Sequence, residues 1–127
     1  MTSRIMNISV DCADPYRLAQ FWSQVLDLPV GAEDTPESDE VGIGVAEGQE
    51  LLFLRVPEAK TVKNRLHLCL SPLSTRDAEV ERLLALGATV VDDRRQPDGK
   101  GWVVMGDLEN NEFCVLRSAA ERAATGD

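Results

Sequence analysis

The chain has 127 residues, enough for one domain with a hydrophobic core and too few for two independent domains of ordinary size. Its composition excludes intrinsic disorder, and its net charge of −9 disfavours nucleic acid and anionic lipid as partners. Because no apolar run approaches the length of a membrane helix and no signal peptide is recognisable, we expect a cytoplasmic protein that does not contact a membrane.

The first half of the chain is predicted to contain one helix between short strands. Asp14 and Pro15 are suited to the N-cap and first helical position, and Pro29 ends the helix. An apolar stripe at helical spacing is predicted to face the core: Leu18, Phe21, Trp22, Val25 and Leu26. Strands are predicted at residues 5–11, 41–45 and 50–56.

The second half repeats this order of elements. Ser74 is predicted to cap its helix and Gly87 to end it. Strands are predicted at residues 66–70, 89–92, 102–105 and 112–116. We interpret each half as one strand, one helix and three strands, with only two of the three later strands located in the first half, and this repeated order indicates an internal duplication. The resulting single domain is divided into module one at about 4–58, a linker at 59–64, module two at about 65–118, and a C-terminal tail at 119–127.

Strand alternation assigns side chains to the two faces of each predicted sheet. We expect these residues to lie beneath the helices: Ile8, Val10, Leu66, Leu68, Leu70, Phe113 and Val115. The opposite, mixed face is expected to carry Asn7, Ser9, Asp11, His67, Cys69, Ser71, Glu112, Cys114 and Leu116. A mixed face suits a ligand cavity, although a solvent-facing sheet has the same alternation.

His67 is the only histidine, so any chemistry that needs an imidazole has a single candidate. The cysteines are Cys12, Cys69 and Cys114, an odd number at wide spacing. They match neither a redox pair nor a zinc framework, and we expect reduced, packed thiols.

Distinctive motifs lie at residues 11–15, 18–22, 64–68, 86–88 and 101–116. Together these segments resemble the vicinal oxygen chelate superfamily, which includes glyoxalase I, extradiol dioxygenases, and fosfomycin- and bleomycin-resistance proteins. The resemblance extends from about Ile5 to Arg117 and is closest to an uncharacterised actinobacterial glyoxalase-like subgroup. The family's Asp-Pro-x-Gly-Asn turn is altered here to residues 107–111, where Asn110 is expected to adopt the left-handed conformation of the missing glycine.

The resemblance implies an α+β fold of paired βαβββ modules, with helices outside curved mixed sheets that form a cleft, and it implies a homodimer. Metal-dependent relatives commonly use two histidines and a glutamate. The corresponding positions here are Asn7, His67 and Cys114, which form a poor set for manganese, iron or nickel. Glu112 is the nearest carboxylate, but it lies further along the strand. We therefore predict no metal ligands and no cofactor.

The first functional hypothesis is a protein that binds a small molecule in the cleft without the usual metal, with the acidic charge favouring a cationic ligand. The expected pocket residues are Asn7, Ser9, Leu52, His67, Cys69, Trp102, Glu112 and Cys114. The alternatives are an enzyme of lyase, isomerase or oxidoreductase type that uses His67 as the catalytic residue with Cys114 or Glu112, a metal-dependent enzyme with an atypical ligand set, and a domain that serves mainly for dimerisation.

Overall fold

The computed structural model describes residues 1–126. They form two compact units, the first comprising Met1–Thr61 and the second beginning at Val62. The boundary lies within the segment predicted as a linker. Over the described residues, no helix is both long and apolar enough to span a bilayer.

The first unit contains a three-stranded sheet and one helix. Its elements are β1 (Asn7–Cys12), α1 (Pro15–Leu26), β2 (Glu40–Ala46) and β3 (Gln49–Arg55). The strand order is β1-β3-β2, with β1 parallel and β2 antiparallel to β3. The predicted third strand after the helix is absent from the described sheet, since only an isolated bridge joins Val30 to Ile43.

Helix α1 begins and packs as its sequence predicts. The Asp14 side chain accepts a hydrogen bond from the Arg17 N–H at 3.2 Å, and Pro15 occupies the first helical position. The helix packs chiefly on β2 and β3, through buried Leu18, Phe21, Trp22 and Val25. The expectation that Ile8 packs beneath it is wrong, because β1 is an edge strand and Ile8 is 49% exposed.

The second unit contains four strands and two helices. Its elements are β4 (Cys69–Leu70), α2 (Arg76–Ala85), β5 (Thr89–Asp93), β6 (Val103–Gly106), β7 (Glu112–Val115) and α3 (Ala119–Thr125). The strand order is β4-β7-β6-β5, with β4 parallel to β7 and the other pairs antiparallel. The apolar face of this sheet is fully buried at Val103, Met105, Phe113 and Val115. The predicted α+β class is therefore confirmed.

Three local predictions in this unit are wrong. The strand predicted at 66–70 contains only Cys69–Leu70, and Leu66 is 86% exposed instead of packed beneath the helix. The cap of α2 is Thr75, not Ser74, since the Thr75 hydroxyl accepts from the Ala78 N–H at 3.1 Å.

The segment predicted as a tail contains helix α3, which begins with a capping box. Ser118 Oγ accepts from the Glu121 N–H at 3.1 Å, and Glu121 Oε1 accepts from the Ser118 N–H at 2.9 Å. The same carboxylate oxygen accepts from the Arg76 N–H at 2.8 Å, which ties α3 to the start of α2. These bonds lower the pKa of Glu121, because they favour the charged carboxylate, and the bond from Ser118 contributes most.

The turn between β6 and β7 confirms the prediction for Asn110. This residue has a φ of 67°, in the left-handed region. The buried Asp107 side chain stabilises the turn, since its Oδ1 accepts from the N–H groups of Glu109 at 2.9 Å and Asn111 at 3.0 Å.

Substitutions at Asn110 should therefore separate backbone strain from loss of the side chain. We expect Asn110→Gly to change the free energy of unfolding by less than about 0.5 kcal/mol, because glycine adopts this φ without steric cost. Asn110→Ala should lower it by about 1–2 kcal/mol, because Cβ is crowded in the left-handed region. Urea denaturation of the two variants measures the difference, and an alanine variant as stable as the glycine variant would contradict the strain argument.

Candidate thiol and imidazole site

The second unit brings one histidine and two cysteines together at the edge of its sheet. Cys69 of β4 lies directly opposite Cys114 of β7. This register is held by hydrogen bonds from the Cys114 N–H to the Leu68 carbonyl at 2.8 Å and from the Leu116 N–H to the Leu70 carbonyl at 2.9 Å. Potential ligand atoms of His67, Cys69 and Cys114 all lie within 4.8 Å of one another. We call these three residues the thiol–imidazole cluster.

The thiols of the chain differ in exposure. Cys12 and Cys114 are buried, as expected for packed thiols, whereas the same expectation is wrong for Cys69, which is exposed. Cys12 Sγ lies 3.5 Å from the Leu54 carbonyl oxygen, to which it donates. Within the cluster, Cys114 is 5% exposed while His67 and Cys69 are open to solvent. Cys12 is therefore a packing residue, and the cluster is accessible from one side.

The environment of Cys114 opposes ionisation of its thiol. Burial raises its pKa to about 11, and the neighbouring Cys69 thiol adds to the increase while Lys63 opposes it. Cys114 is therefore a neutral thiol near pH 7 in the metal-free protein. An activated thiolate nucleophile requires a lowered pKa, so this arrangement does not match that chemistry.

Other predicted pocket residues of the second unit lie around the cluster. Glu112 lies two residues before Cys114 on the same strand face, but its Oε2 accepts a hydrogen bond from the Asn64 N–H at 3.3 Å. Val104 is the direct cross-strand neighbour of Cys114. Trp102, two residues before Val104, is 41% exposed. This face of the sheet thus combines polar groups with exposed apolar surface.

The remaining predicted pocket residues lie in the first unit. Asn7 and Ser9 are exposed on one face of β1, where Asn7 Nδ2 donates to Ser9 Oγ at 2.9 Å. Leu52 lies opposite Ser9 in the register with β3 and is half-buried. These three side chains share the face of the first sheet that is opposite α1.

A family model for the glyoxalase-like domain matches residues 7–116. The chain is a member of the glyoxalase-like domain family. No curated protein matches it. Among solved structures, this glyoxalase-like protein is similar to a fosfomycin-resistance protein of Listeria monocytogenes, FosX, in complex with manganese(II) and a dihydroxypropylphosphonic acid. The identity is 18% over 98% of both chains, with a TM-score of 0.69.

Two further solved structures have the same fold. A hypothetical protein of Staphylococcus aureus is 17% identical over 91% of this chain and 94% of its own, with a TM-score of 0.68. Lactoylglutathione lyase of Agrobacterium tumefaciens is 20% identical over 93% of this chain and 95% of its own, with a TM-score of 0.61. These likenesses confirm the glyoxalase and bleomycin-resistance fold.

The donor set of the cluster does not fit the manganese, iron or nickel centre that the resemblance implies. Manganese, iron and nickel sites with open positions use imidazole and carboxylate ligands, whereas two of the three donors here are sulfur atoms. The nearby carboxylate of Glu112 is not part of the cluster and is bonded to the backbone of Asn64.

Sequence reasoning placed Cys69 on the correct face but did not pair it with Cys114. Part of the signal was present, because alternation assigns His67, Cys69 and Cys114 to the same mixed face. What the sequence does not contain is the register, which decides whether two thiols on neighbouring strands are adjacent or one pleat apart.

Proposed function

We propose that this protein binds a small organic molecule on the open face of its second sheet, without a manganese, iron or nickel cofactor. The observation that carries the proposal is the buried Cys114 thiol, at the position where the resemblance implies a carboxylate in metal-dependent relatives. Side chains on the open face would then select the ligand through hydrogen bonds and apolar contacts, and no manganese, iron or nickel ion would be needed to hold it.

The surface of the open face supports an amphipathic ligand. Trp102 offers an exposed indole, and half-buried Leu116, two residues after Cys114, offers further apolar surface. The net charge of −9 favours a cationic ligand through long-range attraction. Because the likeness to FosX and to lactoylglutathione lyase shows only the fold, the ligand class rests on these side chains.

The test is isothermal titration of reduced, chelator-treated protein with bleomycin and with small cationic metabolites at low salt. We expect one of these compounds to bind, and we expect Trp102→Ala to weaken binding by about tenfold because a contacting aromatic side chain is removed. Tyr16→Ala, a half-buried aromatic residue on α1 in the first unit, is the matched control and should leave the affinity unchanged. Absence of heat with every compound, or equal losses in both variants, would overturn the proposal.

A second candidate is an enzyme in which His67 is the general acid or base. The observation that favours it is the solvent-exposed imidazole beside two thiols. His67→Ala should then abolish turnover of an identified substrate. Retained turnover in that variant would exclude this candidate.

We also propose that the protein is a cytoplasmic homodimer. Ile5 and Met6, which directly precede β1, and Ile8 within it are exposed apolar side chains, and a second copy would cover them. Light scattering that gave a monomeric mass at micromolar concentration would contradict the dimer. A dimer that responds to none of the compounds would favour a domain that serves only for dimerisation.

A further inference from the structure

We propose that the thiol–imidazole cluster is a binding site for a thiophilic cation, with Zn²⁺ as the reference ion, held by His67, Cys69 and Cys114. Two of its donors, His67 and Cys114, are at positions that correspond to metal ligands in the resemblance, and the site differs from that centre in its third donor, Cys69, and in its two sulfur atoms. It goes beyond the proposed small-molecule binding and does not depend on it.

The distances within the cluster are close to those of a metal site. Zinc binds thiolate sulfur at about 2.3 Å and imidazole nitrogen at about 2.0–2.1 Å, which in a tetrahedron separates the ligand atoms by about 3.5–3.8 Å. The three donor atoms already lie within 4.8 Å of one another without an ion. Rotation of the exposed His67 and Cys69 side chains moves their donor atoms by about an ångström, which closes this gap. The strands therefore need not move.

The supporting structure pairs the backbones of the two cysteines and leaves the imidazole adjustable. Cys69 and Cys114 are cross-strand partners in the parallel ladder, and the hydrogen bond from the Cys114 N–H to the Leu68 carbonyl holds their strands together. His67 lies just before β4 and is exposed, so its ring can turn toward the sulfur atoms. The backbone therefore places the three residues together, and rotation of the exposed side chains completes the site when the ion binds.

The donor types determine which cation is favoured. Two sulfur atoms and one imidazole nitrogen suit zinc or copper(I), and they discriminate against manganese and magnesium, which prefer oxygen donors. Three protein ligands leave a fourth position open to water or to a bound molecule, as in catalytic rather than structural zinc sites. The open side of the cluster, where His67 and Cys69 are exposed, is where that position would lie.

The test is a cobalt(II) titration of untagged protein that has been reduced with a phosphine and treated with chelator, with its free thiols counted beforehand. We expect thiolate-to-cobalt charge-transfer absorption that saturates at about one equivalent, and we expect zinc to displace the cobalt. Cys69→Ser and Cys114→Ser should each weaken binding by about a hundredfold or more, because each removes a direct ligand. His67→Gln should also weaken binding while preserving the sulfur-to-cobalt absorption.

Cys12→Ser is the matched control, because Cys12 is a buried thiol of the first unit that lies outside the cluster. It should leave the absorption and the affinity unchanged. If Cys114→Ser fails to fold by circular dichroism, Cys69→Ser decides the matter, since Cys69 is exposed. Absence of the charge-transfer absorption in fully reduced protein, or its loss only in Cys12→Ser, would overturn the site. Neither result bears on ligand binding, which is measured in metal-free protein.

Discussion

Replacing Phe113 with alanine is expected to lower the free energy of unfolding by about 3–5 kcal/mol, because the change leaves a cavity in the core of the second unit. Phe113 lies in β7, is 1% exposed, and pairs with Met105 across the sheet. Its side chain is on the apolar face, together with the buried Val103 and Val115. Urea denaturation followed by circular dichroism measures the loss, with an unchanged m-value showing that two-state unfolding is retained.

Trp102→Ala is the control for this experiment, because it removes a larger aromatic side chain from the same sheet at a site that is 41% exposed. We expect it to lower the free energy of unfolding by less than about 1.5 kcal/mol, since partial exposure leaves little cavity. If Trp102→Ala lowers the free energy of unfolding as much as Phe113→Ala does, burial on the apolar face does not explain the loss.

Replacing Arg76 with methionine is the second large prediction, with an expected loss of about 2–3 kcal/mol. Arg76 is 5% exposed, and its Nη1 donates to three consecutive carbonyls, those of Gly99 and Lys100 at 3.1 Å and of Gly101 at 3.0 Å. Methionine keeps most of the aliphatic packing but donates no hydrogen bond. The hairpin between β5 and β6 would therefore lose the group that holds its carbonyls.

The effect of Arg76→Met should depend on pH. The hydrogen bond from Arg76 is the largest cause that holds the pKa of Asp77 below its usual value of 3.8, with Arg95 adding to it. A lowered folded-state pKa contributes stability that is present above about pH 4 and is lost as the pH falls. Removing Arg76 raises the pKa of Asp77. The difference in free energy of unfolding between wild type and variant should therefore decrease as the pH falls.

Arg94→Met is the matched control, because it removes an exposed arginine from the neighbouring strand end. Its ion pair with Asp92 is exposed on both sides, so we expect a loss below about 1 kcal/mol. Chemical denaturation at pH 7 and near pH 3 compares the three proteins. An Arg76 variant with wild-type stability at pH 7 would refute the role of the carbonyl contacts.

The regular elements were predictable because their signals are local. Asp14 and Pro15 define the start of α1, and Gly87, with a φ of 111°, follows the end of α2. Asn110 adopts the predicted left-handed conformation because the turn depends on its own residues. Each of these features is determined within one turn of chain, so no knowledge of distant partners is needed.

The errors concern mainly features that depend on contacts between residues far apart in the sequence. Alternation predicts a strand from Leu66, but the regular strand that pairs with β7 contains only Cys69 and Leu70. Helix α3 was missed although Ser118 and Glu121 have capping-box spacing, because its sequence contains few large apolar residues. The pairing of Cys69 with Cys114 depends on a register that alternation alone does not specify.

The parallel pairing of the first strand with the last in each unit has a kinetic consequence. Strand β1 pairs with β3, and strand β4 pairs with β7. A helix and at least one strand lie between the members of each pair, so these contacts join residues that are far apart in the sequence. Closing such long loops costs entropy before any contact compensates for it, and the adjacent hairpins β2–β3 and β6–β7 should form first. During refolding, Cys69 and Cys114 should therefore become neighbours late, and alkylation of Cys114 by a thiol reagent should remain fast until the edge strand docks.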